Sequence, residues 1–175
     1  PNGKEIAFLA KRGEDKKTSL YTIPVDGGEA MKVAAHPSGI RAYSFHPDGT
    51  QVALLAKPLP NKDKEAMTKK GFNARVRYES IEPTKLWLAK VAAREGDMAK
   101  PIEIPVQGSV STVSWSPEGA ELVITKAPTA LTDDTYMFRK VHVVNVDKMK
   151  VTSTLKGEGK IGKVLWSPDS VRVAV

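Results

Sequence analysis

The sequence predicts an all-β protein, a β-propeller of four-stranded antiparallel blades, here a partial propeller of about three and a half blades. Two observations carry this prediction: one short motif occurs four times in 175 residues, and its copies are spaced like propeller blades. The motif runs through an aromatic residue, a small or polar residue, Pro, an acidic or amide residue, Gly or Ser, two variable positions and an apolar run. Its copies are Pro1–Phe8, Phe45–Leu54, Val113–Ile124 and Trp166–Val175.

Each copy of the motif predicts a strand, a tight turn and a second strand. Proline presets φ to about −65° for the second residue of a type I turn, and the acidic or amide side chain accepts a hydrogen bond from the backbone two residues on. Glycine then adopts the left-handed conformation that closes a hairpin with a bulge. The residues with this structural role are Pro1, Gly3, Phe45, Pro47, Asp48, Gly49, Trp115, Pro117, Gly119, Trp166, Pro168 and Asp169.

The spacing of the motif selects the kind of repeat. The turn prolines Pro1, Pro47, Pro117 and Pro168 are 46, 70 and 51 residues apart, and removing a charged insert of 24 residues, Lys57–Ser80, from the middle interval leaves 46. A period of about 40 to 50 residues is typical of propeller blades, whereas helical-pair repeats of about 34 residues and leucine-rich repeats of about 20 to 29 are shorter. The four copies therefore indicate stacked blades, because no single unit buries its apolar face alone.

The blades are expected at 1–36 without a first strand, 37–107 with the insert 57–80, 108–157, and a truncated 158–175. A propeller of about four to eight blades closes into a ring, so we expect this chain to be a segment of a larger propeller that self-associates through its open sheet edges. The predicted strands are Ile6–Ala10, Ser19–Pro24, Ala30–Ala34, Ile40–Phe45, Gln51–Ala56, Leu86–Val91, Ile102–Val106, Ser111–Ser116, Glu121–Thr125, Lys140–Val146, Lys150–Leu155, Gly162–Trp166 and Val171–Val175.

Composition is ordinary for a globular domain, with 41% hydrophobic and 27% charged residues. The formal net charge is +7, but the insert alone holds seven Lys or Arg against three acidic residues, which favours a solvated basic loop over a nucleic-acid surface. No apolar run approaches the length of about 18 residues that spans a membrane, so neither nucleic acid nor membrane is an expected partner. The absence of cysteine excludes disulfides, and the compartment stays open.

The third copy of the motif carries a family resemblance. Ser116-Pro117-Glu118-Gly119, followed by an apolar strand, resembles the Ser-Pro-Asp-Gly repeat of propellers in bacterial TolB proteins and in the prolyl oligopeptidase superfamily of serine peptidases. Leu20–Glu29 and Thr84–Ala89 resemble third strands of blades in the dipeptidyl-aminopeptidase and acylaminoacyl-peptidase branch of that superfamily.

The resemblance implies a noncatalytic propeller that admits or positions peptides for an α/β-hydrolase domain of a bacterial serine peptidase. The expected partners are then the remainder of the propeller, that hydrolase domain, and a peptide or protein. The resemblance also implies an alternative, a TolB-like scaffold that binds protein partners without catalysis. A propeller fused to a metal-dependent hydrolase or a sugar lyase is a third interpretation.

No catalytic, cofactor-binding or metal-binding residue is predicted. The sequence has no Gly-x-Ser-x-Gly nucleophile elbow, its histidines His36, His46 and His142 are scattered singly, and no cysteine is available as a ligand. The side chains expected to face a partner or substrate are Lys69, Lys70, Arg75 and Arg77 of the insert, and Asp133 and Asp134 of the connection Lys126–Arg139. The paired carboxylates have an alternative interpretation, a turn or cap ahead of a strand.

The aromatic position before the turn is predicted to pack between blades. It is filled by Phe45, Trp115 and Trp166, which are expected to be buried at equivalent places, with each indole N–H donating to a backbone carbonyl. Stacking of a tryptophan on a ligand in the central channel is the alternative. In the insert, prolines stop the preceding strand, and Lys62–Lys70 is expected to form at most a short helix.

Overall fold

The computed structural model of the chain describes residues 3–59, 61–72, 74, 81–94, 96–157 and 160–175. Within these residues the chain forms four antiparallel sheets, in which every strand pairs with the strands before and after it in sequence. The first two sheets contain β1 (Glu5–Ala10), β2 (Ser19–Pro24) and β3 (Met31–Ala34), then β4 (Ile40–Phe45), β5 (Gln51–Ala56), β6 (Lys85–Lys90) and β7 (Ile102–Ile104).

The third sheet contains β8 (Ser109–Trp115), β9 (Glu121–Ala127), β10 (Lys140–Asn145) and β11 (Lys150–Thr154), and the fourth contains β12 (Leu165–Trp166) and β13 (Val173–Ala174). Two helices interrupt the connections between second and third strands, α1 (Lys62–Lys69) in the second sheet and α2 (Thr132–Met137) in the third. Neither helix is long and apolar enough to cross a membrane, and no other helix of the described residues is.

The sheets have the predicted three, four, four and two strands, and the predicted blade architecture is confirmed as an all-β partial propeller. Strand ends differ from the prediction by a few residues at most in the first three sheets. The largest difference is in the fourth, where β12 and β13 pair over only two residue pairs, Leu165 with Ala174 and Trp166 with Val173.

The apolar run that follows the repeat turn is buried on both of its faces. Strand β5 alternates between two hydrophobic cores: Val52, Leu54 and Ala56 contribute to the core between the first two sheets, while Ala53 and Leu55 contribute to the core between the second and third. Strand residues alternate in direction with period two, so a strand in the middle of a stack needs apolar residues at every position. This packing explains the continuous apolar pattern of the motif.

Antiparallel pairing places the connections alternately at two ends of the sheets. The end with the repeat turns before β5, β9 and β13 is called the turn face, and the opposite end, with α1 and α2, is called the helix face. At the helix face Ile40 donates its N–H to the Thr18 carbonyl at 2.9 Å, and Val110 donates to the Thr84 carbonyl at the same distance. Thr18 directly precedes β2 and Thr84 directly precedes β6, and the donors belong to β4 and β8, the first strands of the next sheets. The sheets therefore stack with a repeated geometry.

The sequence does not predict helix α2 in the connection Lys126–Arg139, where the two interpretations of Asp133 and Asp134 are a partner-facing pair and a turn or cap ahead of a strand. Asp133 and Asp134 lie in the first turn of α2, where carboxylates oppose the partial positive charge of the helix N-terminus. In contrast, α1 agrees with the expected short helix of the insert.

Candidate functional site

The repeat turns have the backbone geometry that the motif predicts. In the second sheet Gly49 donates its N–H to the carbonyl of His46 at 2.9 Å and has φ of 77°. Gly119 (φ 78°) and Gly3 (φ 70°) are also left-handed, and Ser170 adopts φ of 58° where the other copies have glycine. Pro1 lies outside the described residues.

The aspartates of the motif close their own turns. Oδ1 of Asp48 accepts the N–H of Thr50 at 2.7 Å, and Oδ1 of Asp169 accepts the N–H of Val171 at 3.0 Å. The bond from the Thr50 backbone holds the pKa of Asp48 below its usual value, and the pKa of Asp169 is lowered chiefly by the Ser167 hydroxyl. These hydrogen bonds stabilise the turns, which is the structural role that the sequence predicts for both aspartates.

Neighbouring turns contact each other across the turn face. Nε2 of His46 lies 3.1 Å from the Gly119 carbonyl oxygen, and the His46 ring meets the Trp115 ring edge to face at 4.6 Å between centroids. A Cβ on Gly119 would lie 2.1 Å from Nε2, so glycine is required there for close approach as well as for its positive φ. The N–H of Glu118 donates to Oγ of Ser170 at 3.0 Å, which extends the row of turns to the fourth sheet.

The aromatic position packs between sheets, but its burial is unequal. Trp115 is 6% exposed, whereas Phe45 and Trp166 are only half-buried, so the expectation of equivalent burial is wrong for those two residues. Trp166 belongs to the sheet of two short strands, whereas Phe45 is half-buried although its sheet has four.

The predicted indole hydrogen bonds are present in both repeat tryptophans. Nε1 of Trp115 donates to the Ser44 carbonyl at 2.9 Å, and Nε1 of Trp166 donates to the Ser114 carbonyl at 3.3 Å. Each acceptor is the residue before the aromatic position of the preceding sheet. The bond is therefore a repeated link between neighbouring sheets, and it uses the polar atom that ligand stacking would leave free.

The side chains expected to face a partner lie on two connections of the helix face. Lys69 and Lys70 are exposed at the C-terminal end of α1, while Arg75 and Arg77 lie outside the described residues. Asp133 is exposed, but Asp134 is half-buried and accepts the Thr129 hydroxyl at 2.5 Å through Oδ2. Of the two adjacent carboxylates, Asp133 is the more accessible to a partner.

A polar cluster in the first sheet holds the β1–β2 connection against the strands. The Tyr21 hydroxyl donates to Oδ2 of Asp15 at 2.6 Å, and Nζ of Lys32 donates to Oδ1 of the same carboxylate. The bonds from Lys32 and then Tyr21 lower the pKa of Asp15, while burial raises the pKa of Tyr21. The three side chains satisfy one another's hydrogen-bonding groups, so we assign the cluster a role in stabilising the first sheet.

The three histidines serve different parts of the framework. His36 is 3% exposed, packs its ring 4.4 Å from that of Trp87, and accepts the Ser38 N–H through Nδ1 at 3.1 Å. His142 lies on β10 with Nδ1 2.8 Å from the Thr154 hydroxyl of β11. Burial lowers the pKa of both rings, for His142 to about 4, so both are neutral at pH 7. His46 links two turns, as described above.

Two grooves lie between neighbouring sheets. The first, of about 590 Å³, opens at the turn face between the first two sheets, and its lining includes Glu5, Thr22, Val33, Thr50 and Lys90. The second, of about 460 Å³, opens at the helix face between the third and fourth sheets. We call the second the lysine groove and define it by Lys140, Val141, Leu155, Lys156, Lys160 and Ile161.

The described part of the chain contains no group of three or more His, Asp or Glu side chains placed to hold a metal ion. The chemistry that the described grooves offer is binding through ammonium groups, a carboxylate, hydroxyls and aliphatic walls.

Comparison with known proteins agrees with the fold. No protein-family model matches the sequence, and no curated protein matches it significantly. Among solved structures, TolB from Acinetobacter baumannii matches with a TM-score of 0.63 and 15% identity over 99% of this chain and 35% of its own. The propeller domain of the Trilobed protease from Pyrococcus furiosus matches with a TM-score of 0.54 and 10% identity over 97% of this chain and 44% of its own.

The acylaminoacyl peptidase of Pyrococcus horikoshii matches with a TM-score of 0.54 and 11% identity over 95% of this chain and 25% of its own. The chain thus spans less than half the length of each of these three structures. At such identities the likeness concerns the fold, and it confirms the resemblance to TolB-like and peptidase propellers at that level. The protein is a β-propeller whose blades resemble those of both groups.

Sequence reasoning did not find the lysine groove. Its three lysines are spread over 21 positions of the sequence, and the β10–β11 pairing brings two of them close: His142 faces Thr154, and the N–H of Leu155 donates to the Val141 carbonyl at 2.9 Å. Continuing this register sets Lys140 opposite Lys156. The signal in the sequence that points to this groove is the group of basic residues between β11 and β12.

Proposed function

We propose that this chain is a noncatalytic propeller segment of a serine peptidase, and that it admits or positions peptides for an α/β-hydrolase domain carried by the parent protein. The observation that supports this is a blade structure shared with the Trilobed protease propeller and with an acylaminoacyl peptidase, together with the strand motifs that resemble that branch. Propellers serve unrelated functions, so the fold supports the proposal without selecting the chemistry.

The helix face is where such a propeller differs most from a bare stack of blades. The insert and α2 leave large apolar side chains open to solvent: Met67, Phe72, Tyr136, Met137 and Phe138 are 50%, 67%, 61%, 55% and 58% exposed. Scattered exposed apolar residues are normal, but consecutive ones such as Tyr136, Met137 and Phe138 are typical of a surface that meets another protein or a ligand. We assign the contact with peptides or with a neighbouring domain to this face.

A TolB-like scaffold that binds protein partners without catalysis is the second candidate. The observation in its favour is the TM-score of 0.63 with TolB from Acinetobacter baumannii, which exceeds the 0.54 of the two peptidase structures.

The parent protein separates the two candidates. We expect its coding sequence to continue into a segment with a Gly-x-Ser-x-Gly elbow, and the purified parent to react with a fluorophosphonate probe that labels activated serines. The isolated chain serves as the control and is expected to remain unlabelled and to release no product from chromogenic aminoacyl or acylaminoacyl substrates. A parent without elbow and without labelling would refute the peptidase proposal and favour the scaffold.

A further inference from the structure

The lysine groove combines positive charge with apolar walls. Lys140, Lys156 and Lys160 have exposed ammonium groups, Val141 is 2% exposed, and Leu155 and Ile161 are half-buried. No acidic residue is among the described residues that line the groove. Glu158, between Lys156 and Lys160 in sequence, lies outside the described residues. The three lysines give the described lining a positive charge that an anionic ligand would neutralise.

A fourth cation lies directly behind the groove. Arg139 donates from Nη2 to the Ile161 carbonyl at 3.1 Å, while its Nε is buried and has no hydrogen-bond partner among the described residues. Arg139 directly precedes β10; the corresponding residues of the two preceding sheets are Thr18, directly before β2, and Thr84, directly before β6, whose backbone carbonyls accept from the next sheet. The guanidinium at this place in the third sheet therefore adds a positive charge that the stacking of sheets does not require.

The groove continues onto the exposed apolar surface of α2. Nζ of Lys160 lies 5.0 Å above the centre of the Tyr136 ring, a cation–π contact that joins the two surfaces. Tyr136 is 61% exposed, and the next two side chains, Met137 and Phe138, are exposed to a similar degree. The combined surface presents cations at its centre and apolar side chains at one edge.

We propose that the lysine groove binds an acidic peptide segment, with Asp or Glu carboxylates facing Lys140, Lys156 and Lys160 and apolar side chains against Val141, Leu155 and α2. Charge complementarity and the apolar walls select this occupant. The volume of about 460 Å³ is comparable to sites of about 300 to 1,000 Å³ that hold small ligands, so it fits a short stretch of peptide. The proposal stands whether the parent is a peptidase or a scaffold.

A nucleic acid fits the same surface less well. A phosphate backbone needs a longer run of cations than the three lysines that line the groove. The walls of the groove itself are aliphatic, at Val141, Leu155 and Ile161, and the aromatic ring of Tyr136 lies only at its edge.

Fluorescence anisotropy with the full 175-residue chain tests the proposal. The probe is a fluorescein-labelled peptide of alternating leucine and glutamate, compared with a peptide of leucine and glutamine. We expect the acidic peptide to bind more tightly, with an affinity that falls as salt rises. The variant K140Q/K156Q/K160Q is expected to raise its Kd by about tenfold, the combined effect of three exposed charge pairs.

The matched control is K90Q/K100Q/K148Q, which removes the same charge from exposed lysines at the turn face. It is expected to change the Kd by less than about twofold. Equal losses in the two variants, equal affinity for both peptides, or tighter binding of an oligothymidylate than of the acidic peptide would overturn the proposal.

A second measurement on the unmodified chain covers the case in which the triple variant does not fold, which circular dichroism would reveal. Carbodiimide joins a bound carboxylate directly to a contacting lysine amine. Mass spectrometry is expected to locate the acidic peptide on Lys140, Lys156 or Lys160. Cross-links confined to lysines of the turn face would contradict the assignment.

Discussion

Trp115→Ala is expected to be among the most destabilising single substitutions in this chain. Trp115 is 6% exposed and belongs to the hydrophobic core between the second and third sheets. Truncating a buried aromatic ring to alanine costs about 3 to 5 kcal/mol through lost burial and the remaining cavity. It also removes the donor from the Ser44 carbonyl, an unmade hydrogen bond that costs about 1 kcal/mol or more where water does not replace it.

Trp166→Ala is the matched control, because Trp166 fills the same position of the repeat. Its ring is half-buried, its indole bond to Ser114 is longer at 3.3 Å, and the fourth sheet has only two short strands. We therefore expect a loss of about 1 to 2 kcal/mol. Trp115→Phe separates the two contributions: it keeps an aromatic ring and removes the N–H, and should cost about 1 to 3 kcal/mol.

Urea unfolding followed by far-ultraviolet circular dichroism measures all three variants without depending on tryptophan fluorescence. The free energy of unfolding follows from the midpoint and the slope of the transition. A Trp115→Ala loss below about 1 kcal/mol, or a loss no larger than that of Trp166→Ala, would refute the assignment of Trp115 as the central contact between blades.

Three further outcomes are expected. Gly108→Ala should destabilise the chain by at least about 2 kcal/mol more than Gly13→Ala in urea unfolding. Both glycines have positive φ, but only at Gly108 would a Cβ meet a backbone atom, the Ala127 carbonyl oxygen at 2.2 Å. Equal losses in the two variants would contradict this reasoning. Burial lowers the pKa of His142 to about 4, whereas the unfolded value is about 6.5, so the unfolded chain binds more protons between these two pH values. The contribution of His142 to the free energy of unfolding should be complete above pH 6.5 and should decline as the pH falls to about 4. His142→Gln is expected to show a shallower decline. Replacing Lys62–Lys70 with a Gly-Ser linker should change the free energy of unfolding by less than about 1 kcal/mol, since no described side chain of α1 belongs to either core. Loss of cooperative unfolding would contradict this expectation.

Much of the fold follows from local sequence chemistry. The turn before β5 is predicted residue by residue, because proline, aspartate and glycine each restrict the backbone in a known way, and His46–Gly49 closes as expected. The apolar run of β5 follows from burial on both faces. These features depend on neighbours within a few positions, so a single sequence is sufficient to predict them.

The features that sequence reasoning missed depend on distant residues. Helix α2 is short and lacks an apolar periodicity, and its acidic first turn is compatible with a cap as well as with a helix. The unequal burial of Phe45, Trp115 and Trp166 cannot be predicted from the motif, because all three residues fill the same position of it. The lysine groove depends on the β10–β11 register and on the stacking of the fourth sheet, and the spacing of its lysines in the sequence predicts neither.

The two faces of the propeller differ in what their connections do. At the turn face, Asp48, Asp169 and the His46–Gly119 contact are satisfied within the repeat, so substitutions there act on the stacking of blades. At the helix face the connections differ from one blade to the next, and they carry the exposed apolar side chains of α2 and the lysines of the groove. Insertions on loops cost little stability, because loop closure depends only weakly on length. The physical chemistry of the repeat thus keeps one face constant while the other can acquire partners, which is why we place both proposed interactions at the helix face.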